Sequence, residues 1–244
     1  GQPDMVCEST QSMLSCVRQA RRDIIEMSFR AQVGHIPSAL SMVDYLSVVF
    51  HRLVDWKRAR ILLGKPFGAQ AYYAVFAGLG LIDREWNLYG SSDPAWTYCM
   101  SREHPLVTFI DDTMGNALSV ACGIALATQD MVYVNTSDAS FQAGSVWEAI
   151  MFAGAKHLNN ILMTVDNNHM QVLGRTRDIL DVEPLAERLN AFGWRAMAVP
   201  GHDILEIEKA AHWASQTSLS PTVIVFNTEK GHGVPFMEDN IDWH

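Results

Sequence analysis

Four short runs of Val, Ile, Leu and Met separated by helical segments constrain this chain more than any other feature. The runs are Met131–Asn135, Ile161–Val165, Arg195–Val199 and Thr222–Asn227. Helical patterns cover Gly115–Gln129, Gly144–His157, Glu183–Phe192 and Ile204–Ser215, so strand and helix alternate. A strand without polar alternation is buried on both faces, and a helix between strands is the crossover that parallel pairing requires. The expected class is therefore α/β, a mostly parallel sheet with helices on both faces. Upstream, Met13, Val17, Ala20, Ile24, Met27 and Ala31 repeat at helical spacing, and a second helix covers about Leu40 to Leu53. Arg60–Leu63 reads as a strand, Ala69–Leu81 as a helix and 82–108 as irregular. No repeat, low-complexity tract or linker divides the chain, so residues 1–244 read as a single domain.

Composition excludes several functions. A net charge of -9 with no Lys/Arg run argues against nucleic acid and against anionic membrane. The apolar runs are too short to span a bilayer, and GQPDMVCEST lacks the basic start and apolar stretch of a signal peptide. Cys7, Cys16, Cys99 and Cys122 have no CxxC or metal-like spacing, and are expected to be reduced thiols in a cytoplasmic protein.

In open α/β sheets, ligands bind beyond the carboxyl ends of the strands. Asp138 follows one such strand, among the small residues Ser137, Ala139 and Ser140. The next strand ends in Asp166-Asn167-Asn168-His169-Met170, and Asn168 lies 30 positions after Asp138, about one crossover. Adjacent parallel strands would then present a carboxylate and a carboxamide on one rim, hard oxygen ligands that suit Mg²⁺ or Ca²⁺. The small neighbours leave room for a phosphate, which the helix beginning near Gly144 would favour. The other reading is a helix cap and a turn residue, both common roles at strand ends.

These segments resemble the thiamine diphosphate-binding half of transketolases, and more specifically the amino-terminal subunit of a split transketolase. The similarity rests on GHIPSALSMVDYL, MGNALSVACGIALA, GSVWEAIMFAGAKHLNNILMTVDNN and KGHGVPFMEDNIDWH, in that order. It implies a thiamine diphosphate-binding fold in which Asp138, Asn168 and the Met170 carbonyl hold the metal. By the same resemblance Ser137, Ala139, Ser140 and Met114 adjoin the cofactor, with Lys65 the candidate charge where the family's diphosphate-contacting histidine is missing, while His35 and His244 act at the thiazolium and the substrate hydroxyls. It further implies a separate pyrimidine-domain subunit in an α2β2 assembly and a ketose phosphate donor of a two-carbon ketol unit. The helix from Gly144 is apolar on nearly every side, which suggests burial against its own sheet, a subunit interface, or both.

Departures from the family pattern are equally specific. Ser137 and Ala139 replace both glycines of Gly-Asp-Gly, Ala143 stands where an acidic residue is expected, and Gly64-Lys65-Pro66-Phe67 replaces Ser-x-Gly-His. They keep other readings open: an acyl-carrier or lipoyl thiol as acceptor, a 2-oxo-acid dehydrogenase-type α subunit, or a non-catalytic scaffold.

Overall fold

The computed structural model describes residues 7–243. Six strands form one parallel sheet: β1 (Arg60–Leu63), β2 (Phe109–Ile110), β3 (Val132–Ser137), β4 (Ile161–Asn167), β7 (Arg195–Pro200) and β8 (Thr222–Asn227). A separate antiparallel hairpin pairs β5 (Met170–Gln171) with β6 (Gly174–Arg175). The eight helices are α1 (Thr10–Ala31), α2 (Ile36–Arg52), α3 (Ala69–Gly78), α4 (Ala117–Ala127), α5 (Gly144–Ala155), α6 (Thr176–Leu180), α7 (Leu185–Ala191) and α8 (Ile204–Ser215).

Successive strand residues enter two different cores, which is the period of two at work. Ile161, Met163 and Val165 of β4, with Val223 and Val225 of β8, pack beneath α4, α5 and α7. Leu162, Ile224 and Phe226 face the opposite core, under α1, α2, α3 and α8. Each of these fully buried side chains contributes about 1.5–3 kcal/mol by leaving water. Helix α2 lies deepest, with every residue from Pro37 to Phe50 buried.

The sheet order is β2-β1-β3-β4-β8-β7, so the chain moves outward from β1 to β2 and then returns to β3 on the other side of β1. This reversal opens a crevice at the carboxyl ends of β1 and β3, the usual ligand position in such sheets. Strands β3 and β4 pair in parallel with Ser137 opposite Asp166, an offset of 29 residues, so they are the adjacent strands that the Asp138–Asn168 spacing predicts.

One expectation needs correction. Cys7 and Cys16 are joined in a disulfide, with Cα atoms 6.8 Å apart. An α-helix rises 1.5 Å per residue, so the segment before the Ser9 cap turns back beside the first turns of α1, and Cys7 meets Cys16 there. Cys99 and Cys122 are free, in keeping with the sequence. Helix α5 divides its apolar surface: Val146, Ala149, Ile150 and Ala153 pack inward, whereas Met151 and Phe152 are 55 % and 40 % exposed. No helix among the described residues is long and apolar enough to cross a membrane.

Candidate functional site

The site is assembled from strand ends. Asp138 opens the short 3-10 turn Asp138–Gln142 directly after β3, and Asn168 follows the last residue of β4. Asp138 is buried; its Oδ2 accepts a hydrogen bond from Thr176 Oγ1 at 2.6 Å, whereas its buried Oδ1 receives no donor. Leaving such an acceptor unsatisfied costs about 1–3 kcal/mol, more for a charged group. Burial pushes the Asp138 carboxyl up to about 6, and the Thr176 hydrogen bond opposes that rise. Asn168 is also buried, and its Oδ1 accepts the Met170 N–H at 3.1 Å. Its Nδ2 lies 3.4 Å from Asp166 Oδ2 and 3.5 Å from Ser41 Oγ.

A cavity of roughly 400 Å³ adjoins this pair. Of the residues expected to serve the cofactor or the chemistry, His35, Lys65, Met114, Ser137, Ala139, Asn168 and Met170 all line it. Asp138 lines a neighbouring cavity of about 610 Å³ together with Thr176 and Arg175. Ser140 does not line the first cavity, because its hydroxyl caps the local turn: Oγ lies 3.4 Å from the Ser137 N–H and 3.3 Å from Ser137 Oγ. His244 lies outside the described residues.

Two cations sit at the cavity wall. Lys65 is buried and ion-paired with Asp166, which is fully buried and also accepts from Ser41 Oγ at 2.6 Å and from Thr228 Oγ1. Lys230, just beyond β8, is likewise buried; burial first, then the nearby Lys65, push its ammonium down to about 8. An anion entering the cavity would meet both. The sequence reading missed Lys230, although it leaves the rim of the sheet just as Asp138 does. Thr176 gave no signal, since it reaches Asp138 across 38 residues from an unforeseen helix.

His35 caps the amino end of α2 in the left-handed region (φ 60°), and Met114 adopts a similar conformation (φ 58°). Non-glycine residues rarely hold this geometry, and it concentrates at functional sites. Burial, then Lys230 and Lys65, lower the pKa of His35, so its ring is neutral at neutral pH. Phe67 stands beside it with ring centroids 5.5 Å apart, giving the mouth an aromatic wall. His104 is buried between Tyr73 and Phe76, away from the cavity. His202 Nδ1 lies 2.8 Å from Asp44 Oδ2.

Residues 117–244, just over half of the chain, match the family described as transketolase, thiamine diphosphate binding domain. The chain is 32 % identical to a 6-deoxy-6-sulfo-D-fructose transketolase subunit of Clostridium sp. (strain MSTE9), covering 92 % of this chain and 87 % of that protein. It is 30 % identical to an apulose-4-phosphate transketolase subunit from Actinobacillus succinogenes, over 92 % of this chain and 87 % of that one. Its fold matches transketolase from Campylobacter jejuni with a TM-score of 0.84 at 21 % identity, over 95 % of this chain but 40 % of the larger protein. The chain therefore spans about two fifths of that solved transketolase. By sequence, by fold and by the order of its strand-end residues, this chain belongs to the transketolase family as a thiamine diphosphate-binding domain.

Proposed function

We propose that this chain, as one domain, is the diphosphate- and metal-binding subunit of a transketolase-type enzyme that transfers a two-carbon ketol unit from a ketose phosphate. The observation that carries the reading is the buried Asp138 Oδ1 without a donor, one strand away from Asn168 and beside a cavity walled by Lys65 and Lys230. A divalent cation satisfies that oxygen, and Mg²⁺ (or Ca²⁺) suits a carboxylate, a carboxamide oxygen and a main-chain carbonyl. Asp138, Asn168 and the Met170 carbonyl would hold it. Lys65, Lys230 and Ser137 would face the diphosphate, with Ala139 and Met114 shaping the space around it. When bound, thiamine diphosphate supplies an electron sink for carbon–carbon cleavage next to a carbonyl.

The chain's own residues orient and move protons. Partial burial, then the nearby Lys230 and Lys65, lower the pKa of His35, which favours the neutral ring, in which one nitrogen donates while the other accepts. That suits proton transfer at a substrate hydroxyl. His244 would act beside it. Phe67 excludes water from one side of the mouth.

A separate pyrimidine-domain chain would complete the enzyme in an α2β2 assembly. The relatives named as subunits and the exposed Met151 and Phe152 on α5 support this. The same names give no support to a carrier thiol as acceptor, to a 2-oxo-acid dehydrogenase α subunit or to a scaffold. The test is to incubate both chains with Mg²⁺, thiamine diphosphate, a labelled ketose phosphate and an aldose acceptor. Label should reach the acceptor only when both chains are present. Absence of transfer by the pair, or full turnover by this chain alone, would overturn the proposal.

A further inference from the structure

The turn that brings Lys230 to the cavity carries a second cluster of metal-ligating side chains. His232 stacks on His202 with ring centroids 3.7 Å apart and planes 14° apart. The Glu229 N–H donates to His202 Nε2 at 2.8 Å, so that nitrogen is unprotonated and Nδ1–H donates to Asp44. Asp44 is itself paired with Arg21, whose guanidinium also donates to the His232 carbonyl at 2.5 Å. The His202 ring is thus fixed in tautomer and orientation, and it fixes the ring stacked on it.

His232 Nδ1, held in this way, is a buried atom on a side chain that is 34 % exposed, and it has no hydrogen-bond partner within 3.5 Å. It points between two carboxylates, Glu229 Oε2 at 3.7 Å and Glu238 Oε1 at 3.8 Å. The three ligand atoms lie within 4.8 Å of one another. Ligands about 2.1 Å from a four-coordinate ion are about 3.4 Å apart, so a small contraction of these spacings encloses one ion. Glycines at the bends allow it. Gly231 has φ +82°, and a Cβ there would meet Met237 O at 2.5 Å, whereas the Gly233 N–H (φ +90°) donates to Glu238 Oε1 at 2.8 Å and orients that carboxylate.

We propose that His232, Glu229 and Glu238 form a site for a divalent transition cation of the Zn²⁺ class, separate from the Asp138–Asn168 pair. One imidazole nitrogen with two carboxylates suits Zn²⁺, Co²⁺ or Mn²⁺ better than Mg²⁺ or Ca²⁺, which favour all-oxygen shells. Three protein ligands leave a fourth position for water. Because Glu229 and Lys230 are consecutive, the ion would brace the segment that presents Lys230 to the cavity.

Co²⁺ is the probe, because its visible absorption reports imidazole ligation. The full chain is titrated with Co²⁺ without thiamine diphosphate, as wild type, Asp138→Ala, His232→Asn and Glu238→Gln. Wild type and Asp138→Ala should each bind one equivalent with the same absorption band. His232→Asn and Glu238→Gln should each weaken binding by about tenfold or more, as expected when a metal's ligand sphere is broken. Glu238 is partly exposed, so its variant keeps the test open if His232→Asn does not fold. Absence of stoichiometric binding by wild type, or equal binding by wild type and both site variants, would overturn the proposal. Loss of binding in Asp138→Ala alone would assign the ion to the strand-end pair and overturn it as well.

Discussion

Replacing Lys65 by Met should destabilise the fold more than any comparable change at the cavity. The ammonium is paired with Asp166, a carboxylate with no exposure. Removing one partner of a buried ion pair leaves an uncompensated charge and costs about 3–5 kcal/mol. Here the hydroxyls of Ser41 and Thr228 still donate to Asp166, and Lys230 lies close enough to interact with it. The loss therefore falls at the low end, roughly 3 kcal/mol. For a chain of this length each kcal/mol lowers the melting temperature by about 2–4 °C, so the drop should be roughly 6–12 °C. Differential scanning calorimetry of Lys65→Met, Asp166→Asn and the double variant measures it. The double variant should be more stable than Lys65→Met, because neutralising Asp166 removes the stranded charge. A drop under about 2 °C, or single effects that simply add, would refute the reasoning.

Asn168→Ala should abolish metal-dependent cofactor binding while the far-ultraviolet circular dichroism spectrum stays that of wild type, since the residue is at a strand end and not in either core. Lys230 predicts a pH dependence with a definite sign. Its ordinary pKa is 10.5 and the folded value is about 8, so between these values the unfolded chain holds the proton and the folded chain has released it. Stability contributed by this group thus rises with pH through that window, and the penalty is full below it; Lys230→Met should flatten that part of a melting-temperature profile. An anion beside Lys230 restores the proton, so diphosphate binding should take up protons near pH 8 to 9 and weaken at higher pH, as calorimetry in two buffers of different ionisation enthalpy would reveal. Met151→Glu with Phe152→Glu should change the fold stability by less than about 0.5 kcal/mol each, because both positions are exposed; size-exclusion chromatography with the pyrimidine-domain chain should nevertheless show the assembly lost.

Helix Ile204–Ser215 and strand Thr222–Asn227 were legible to the residue, because each is a complete period bounded by polar residues. Strand β4 runs on to Asn167 because the amide group at its polar end is held inside the protein: the Asn167 Nδ2 donates to Asn227 Oδ1 at 2.9 Å and to Glu183 Oε1 at 2.6 Å. Apolar content alone ends that strand too early. Helix α2 starts at Ile36, four residues before its apolar repeat, since Pro37 fits a first turn without needing its missing N–H. The hairpin β5–β6 and the short α6 were invisible, being too brief to show a period. Within the candidate site, Asp138 and Asn168 stand out because they leave strand ends, whereas Lys65 drew notice only through the family pattern. Thr176 and the Asp166 network depend on contacts made across the fold, which no local pattern encodes. The disulfide was missed for a related reason, because spacing by nine residues signals nothing until a helix folds one cysteine back to the other.

The central claim is that Asp138 and its strand-end partner hold a cation that anchors thiamine diphosphate. Isothermal titration of thiamine diphosphate into this chain with its pyrimidine-domain partner, with Mg²⁺ and then with chelator, tests it most directly, using wild type beside Asp138→Ala. The account predicts saturable binding by wild type only with Mg²⁺, and none by Asp138→Ala at the same concentrations although its melting temperature is preserved. Equal binding by the two proteins, or wild-type binding unaffected by chelator, would contradict it.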